Sequence, residues 1–136
     1  MESSAANIAA LLDGATSPLY SEVVAELIDA GAWNELNDRF YKTLAFGTGG
    51  LRGRTIGKVV TKSERGSEPL GRPEFPCVGT NAMNYYNISR ATQGLVAYLK
   101  DWFAAQQIAG KPKLVIAHDT RLFSPEFTAL AAKVAA

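Results

Sequence analysis

The sequence predicts an α/β fold, and three observations carry that prediction. Apolar residues recur at steps of three and four through Ile88, Ala91, Leu95, Tyr98 and Trp102, the period of a long amphipathic helix. Leu114-Val115-Ile116-Ala117 is a short, continuously apolar run, the pattern of a strand buried on both faces of a parallel sheet. Ser124-Pro125-Glu126 then supplies an N-cap, an early proline and a first-turn acid for another helix. Helix, buried strand and helix in that order define the class.

The elements follow in order. Residues 4–12 are an alanine-rich helix candidate ended by Asp13-Gly14. Ser17-Pro18 opens a second helix, whose pairs Leu19/Tyr20, Val23/Val24 and Leu27/Ile28 keep a four-residue spacing and which stops at Gly31. Trp33, Leu36, Phe40 and Leu44 form a third helical stripe, read as a packing surface. From Phe46 to Val60 the chain is punctuated by glycine, with β-branched residues at Ile56, Val59 and Val60; a strand, a loop and a second short strand are expected. Residues 61–80 are polar and proline-containing, with charges of both signs, and read as a solvated surface excursion. The long helix is expected from Asn87 to Gln107, broken by Lys111-Pro112.

Bulk composition excludes several function classes. The 136 residues suffice for one domain with a core. Fourteen basic and thirteen acidic residues leave a net charge of +1, so no global field draws in nucleic acid or an anionic membrane. Cys77 is the lone cysteine and has no internal disulfide partner, which suits a reducing compartment. The first residues carry Glu2 and Asp13 and no basic leader, and no apolar run reaches the roughly 20 residues of a membrane span. A cytoplasmic protein is expected.

The densest chemistry lies in Phe46-Gly47-Thr48-Gly49-Gly50-Leu51-Arg52-Gly53. Glycines let backbone N–H groups approach a ligand, and arginine adds a planar, charged fork suited to phosphate or carboxylate. The stretch reads as an anion site or, equally, as a tight turn with Arg52 in solvent. Counting removes two nucleotide motifs. The dinucleotide fingerprint wants a third glycine where Arg52 stands, and a P-loop ending at Gly57-Lys58 would need glycine at that same position. His118 is the single histidine, at the carboxyl end of the expected strand; with no nucleophile motif in the sequence, a structural role is preferred. One His and one Cys do not make a zinc site. Asp119 and Arg121 are read as an ion pair that fixes the turn, and Ser124 as a helix cap.

Three segments together resemble the α-D-phosphohexomutases, the phosphoglucomutase and phosphomannomutase family. Phe46–Gly53 is similar to its F-G-T-[AGS]-G-L-R-G loop. Asn81-Ala82-Met83-Asn84 with Ala91-Thr92-Gln93-Gly94-Leu95 resembles its N-R-M-N…A-T-Q-G-L helix entry. Ile116–Arg121 with Phe123–Phe127 is similar to its strand, Asp-x-Arg turn and helix. The resemblance covers roughly residues 44–136. It implies an N-terminal helical segment over 1–44, and over 45–136 an incomplete three-layer α/β/α domain I with a mixed sheet.

In the family a phosphoserine exchanges its phosphoryl group with a hexose phosphate, and Mg2+ sits in an Asp-rich loop. The serine motif T-A-S-H-N-P and the Mg2+ motif D-G-D-x-D-R are both absent from this sequence. The resemblance therefore implies the opening part of a mutase, inactive by itself, whose partners are a hexose phosphate and the remaining domains. It carries Arg52 over as the phosphate-stabilising residue and Thr48, Gly49, Gly50 and Arg52 as substrate-binding, with no metal ligand in this stretch. Two departures stand out: the 58–80 excursion replaces a short link, and Ala82 stands where arginine is usual. The alternative is a non-catalytic phosphosugar-binding or interaction module.

Overall fold

The computed structural model describes residues 2–136, which form six helices and one two-stranded hairpin. They divide into two compact units, the first ending at Asn84 and the second beginning at Tyr85.

In the first unit α1 (Glu2–Asp13), α2 (Leu19–Asp29) and α3 (Trp33–Phe40) pack on one another. Leu11, Val23, Val24, Leu27, Leu36 and Phe40 are buried and form the core, as their helical spacing requires. The Ser17 hydroxyl accepts the Leu19 N–H at 3.3 Å, and Pro18 leads into α2. At its other end Gly31 takes a φ of +62°, while the Gly31 and Ala32 N–H groups close on the carbonyls of Ile28 and Leu27. That double closure needs a left-handed residue, which glycine adopts without strain.

The stripe expected to run to Leu44 stops being helical at Phe40. Leu44 is still buried, but its N–H donates to the Thr80 carbonyl at 2.7 Å. The Asp38 and Arg39 carbonyls accept from the Asn81 side chain and backbone N–H at 3.0 and 2.9 Å, and the Lys42 carbonyl accepts from the Thr80 hydroxyl at 2.8 Å. Partners 38 to 43 residues away in sequence satisfy the carbonyls that a helix end leaves open, and so set where α3 ends.

The hairpin pairs β1 (Phe46–Gly47) with β2 (Gly50–Leu51), Phe46 opposite Leu51 and Gly47 opposite Gly50. Gly49 holds a φ of +77° at the second turn position, which a side chain there would strain. The second strand expected at Ile56–Val60 does not form. Instead the Arg54 and Thr55 carbonyls accept from Met83 N–H at 2.9 Å and Cys77 N–H at 2.8 Å.

The 61–80 segment corrects the sequence reading. It carries a short helix, α4 (Lys62–Arg65), opened by a capping box between Thr61 and Glu64. Thr61, Glu64 and residues 76–80 are buried; the tip, residues 68–71, is exposed as expected. The mixed charges did not mark a solvated loop throughout, because Glu64 neutralises a buried arginine.

In the second unit α5 (Tyr85–Ala105) packs against α6 (Ser124–Ala135). Phe127 stacks on Phe123 at 5.9 Å and meets the Tyr85 ring edge-on at 5.7 Å. The N-cap of α6 is Phe123, with a φ of +66°, rather than Ser124; the Ser124 hydroxyl instead accepts the Asp119 N–H at 3.3 Å. Leu114–Ala117, expected as a doubly buried strand, is neither strand nor buried, and Val115 is 100% exposed. A strand exists only by pairing, and no described segment pairs with this one. The α5 stripe is affected in the same way: Leu95, Tyr98 and Trp102 are exposed. Among the described residues the hairpin is the only sheet, so the layered mixed sheet is not formed in them.

Candidate functional site

The glycine-arginine loop has an exposed tip on an anchored base. Thr48, Gly49 and Arg52 are exposed, and Arg52 takes no part in the ion pairs found among the described residues. One residue on, packing closes in. A Cβ on Gly53 would stand 3.1 Å from Met83 N and 3.2 Å from Leu44 Cδ1. Thr48, Gly49, Gly50 and Arg52 are thus brought together on one hairpin, with Ala82-Met83 behind it.

Beneath that base lies an ionic network that sequence reasoning missed. Arg39 is fully buried, and all five of its N–H donors are used. Nε donates to Glu35 Oε1 at 2.8 Å; Nη1 donates to Glu64 Oε1 at 2.6 Å and the Val78 carbonyl at 3.2 Å. Nη2 donates to the Val59 carbonyl at 2.5 Å and Glu64 Oε2 at 3.3 Å. Burial opposes the positive charge, yet the hydrogen bonds to Glu64 and Glu35 and the charge of Glu64 raise its pKa above the ordinary arginine value. Glu64 also accepts from Val78 N–H at 2.8 Å and from the Thr61 N–H and hydroxyl at 3.0 and 3.1 Å. Gly57 makes room for this cluster, since a Cβ there would lie 2.8 Å from Glu35 Oε1 and 2.7 Å from the Val59 carbonyl. The readable signal was Glu35 and Arg39 at i,i+4 on a helix, one of whose faces is apolar.

Arg54 joins the network to the loop. Its Nη2 donates to Glu35 Oε1 at 3.1 Å, and its Nη1 lies 3.1 Å from Asp38 Oδ2, an ionic contact without hydrogen-bond alignment. The two asparagines of Asn81-Ala82-Met83-Asn84 act on backbone: Asn81 closes the end of α3, and Asn84 donates to the Cys77 and Gly79 carbonyls, both at 2.8 Å. Burial pushes the Cys77 thiol up to about 11, so at neutral pH it is no nucleophile.

In the second unit, His118 is exposed, with Nδ1 3.1 Å from the Asp119 carbonyl oxygen. Asp119 accepts the Arg121 N–H at 3.0 Å and pairs with its Nε at 3.3 Å. The Arg121 N–H above all, with Ser124 and the Arg121 charge, holds the Asp119 carboxyl below the usual carboxylate range. This is the turn-fixing pair that the sequence suggested. Among the described residues no three His, Cys, Asp or Glu side chains cluster as metal ligands, and no helix is long and apolar enough to cross a membrane.

Residues 77–136 match the family model described as phosphoglucomutase/phosphomannomutase, alpha/beta/alpha domain I. This segment is thus similar to domain I of that family. A phosphoribomutase of Saccharomyces cerevisiae (strain ATCC 204508 / S288c) is 30% identical to the chain over 111 residues, 82% of the chain. The chain spans 14% of that protein's length. No solved structure matches the chain. The phosphohexomutase match begins at Cys77, so the glycine-arginine loop lies outside it. The loop is nonetheless bonded to the start of the matched segment, through Cys77 N–H to Thr55 O and Met83 N–H to Arg54 O.

Proposed function

We propose that this chain is part of a phosphosugar mutase and that Thr48–Arg52 forms the wall of its cleft facing the transferring phosphoryl group. The observation that carries the reading is the pair of backbone bonds tying the loop base to the start of the matched segment. Arg52 has a free guanidinium fork on an exposed turn, and the Gly49 and Gly50 backbones stand open beside it. Such a wall stabilises charge that develops on phosphoryl oxygens and does so through position, since it supplies no covalent step. The phosphoserine belongs to sequence outside these residues. Mg2+ does not fit the described residues, for want of a clustered ligand set, and is held elsewhere in the enzyme. The family resemblance suggests a hexose phosphate and the name of the yeast relative suggests a ribose phosphate. Glucose 1-phosphate and ribose 1-phosphate are therefore the two substrates to test.

In the complete mutase, Arg52→Ala should lower turnover by about 10²–10³-fold, the scale seen when one charge-stabilising group is removed. The thermal midpoint should stay in place, because Arg52 makes no ion pair. Steady-state kinetics beside a melting curve measures both. Undiminished turnover on both substrates would reduce Arg52 to a turn residue. The 136 residues alone, without the serine, should interconvert neither substrate.

A further inference from the structure

We infer that Arg54 is a positioning residue for Arg52: clamped by Glu35 and Asp38 of α3, it fixes the direction in which the hairpin presents the Arg52 fork. The inference rests on the proposed phosphoryl-facing role of Arg52 and extends it to a residue two positions away. Three observations carry it. The Arg54 side chain is held at two points of α3, by Glu35 Oε1 at 3.1 Å and Asp38 Oδ2 at 3.1 Å. Its own carbonyl is held by Met83 N–H at 2.9 Å, and the next carbonyl by Cys77 N–H at 2.8 Å. The residue between Arg52 and Arg54 is Gly53, where a Cβ would stand 3.1 Å from Met83 N and 3.2 Å from Leu44 Cδ1, so that a side chain there would crowd both.

The backbone at 54 and 55 is therefore tied to residues 77 and 83, while Thr48, Gly49 and Arg52 are exposed. Glu35 Oε1 also accepts from Arg39 Nε and the Lys58 N–H, bonds that do not involve Arg54. Arg54 is thus one of several partners of Glu35 and, through Asp38, a second tie between α3 and the loop. Preorganisation of this kind acts on the transition state, where a displacement of about 1 Å can cost about 10²-fold in rate.

The test is a double-mutant cycle in the complete mutase, with Arg52→Ala, Arg54→Met and both together, reading kcat, KM and thermal midpoint. Arg54→Met is expected to lower kcat by about 10–10²-fold with KM nearly unchanged, to lower the thermal midpoint as loss of a partner of buried Glu35 does, and to add nothing to the kcat loss of Arg52→Ala. Asp38→Asn, at a half-exposed position, is expected to give a smaller kcat loss in the same direction, and it decides the matter if Arg54→Met fails to fold. Full activity of Arg54→Met, or of Asp38→Asn where only that variant folds, overturns the inference. So does a loss that adds in full to that of Arg52→Ala. If Arg52→Ala itself is neutral, the parent reading fails, and the two failures are told apart by that variant alone.

Discussion

Arg39 shows how a single side chain organises the first unit. Its five donors reach Glu35 of α3, the Val59 and Val78 carbonyls and Glu64, the third residue of α4, and Glu35 is shared with Arg54. Removing one partner of a buried ionic group leaves the other charges uncompensated, at a cost of about 3–5 kcal/mol. Arg39→Met should therefore destabilise the chain by about that amount, read as a lowered urea midpoint. A loss below about 1 kcal/mol would mean that Glu35 and Glu64 find water or protons readily, as surface pairs do. Little of this was legible in the sequence. Glu35, Arg39 and Glu64 look like ordinary surface charges until the fold brings position 64 beside position 39.

Among the elements, α4 is the most dependent on others. Four residues cannot hold a helix by propagation alone. Thr61 and Glu64 cap it from within, and Glu26 of α2 accepts the Lys62 N–H at 2.6 Å, the Ser63 N–H at 2.9 Å and the Ser63 hydroxyl at 2.5 Å. Partial burial disfavours the Glu26 charge, but the Ser63 and Lys62 bonds prevail and lower its pKa below the ordinary value. A carboxylate depressed in the folded state contributes stability at pH values above its unfolded value, about 4.3 for glutamate, and loses it as pH falls through the lower folded value. Glu26→Gln should thus be less stable than the parent at pH 6 to 8, and the gap should close in acid. Denaturant titrations across that range check the sign; a gap that widened in acid would contradict the capping role. The helices α2, α5 and α6 were legible to within a few residues from spacing and end signals. The length of α3 was not, because Thr80 and Asn81 end it from afar.

For the molecule as a whole, the second unit leaves apolar surface uncovered. Leu95, Tyr98 and Trp102 of α5 are exposed, as are Leu114, Val115 and Ile116 in a segment without regular structure that no described strand pairs with. Unpaired backbone carrying apolar side chains is a template for association. The purified 136-residue chain should bind a hydrophobic dye and elute larger than its 14.6 kDa as concentration rises. Val115→Asp should reduce both signals without lowering stability, since that side chain is 100% exposed. Gel filtration with dye fluorescence reads both, and unchanged behaviour would place the association elsewhere.

Local chemistry let the sequence by itself determine the helix periods, the Gly31 stop and the motifs that resemble the phosphohexomutases. Each depends on residues within a turn or two of one another. What only the tertiary structure decided depends on partners distant in the chain. Burial of Glu64 in a stretch that read as solvated, the end of α3, the anchoring of Arg54 and the exposure of Leu114–Ala117 are all of this kind. A strand's apolar run states what it can pair with, and a charge states what it can neutralise. Whether the partner is present is a property of the folded chain.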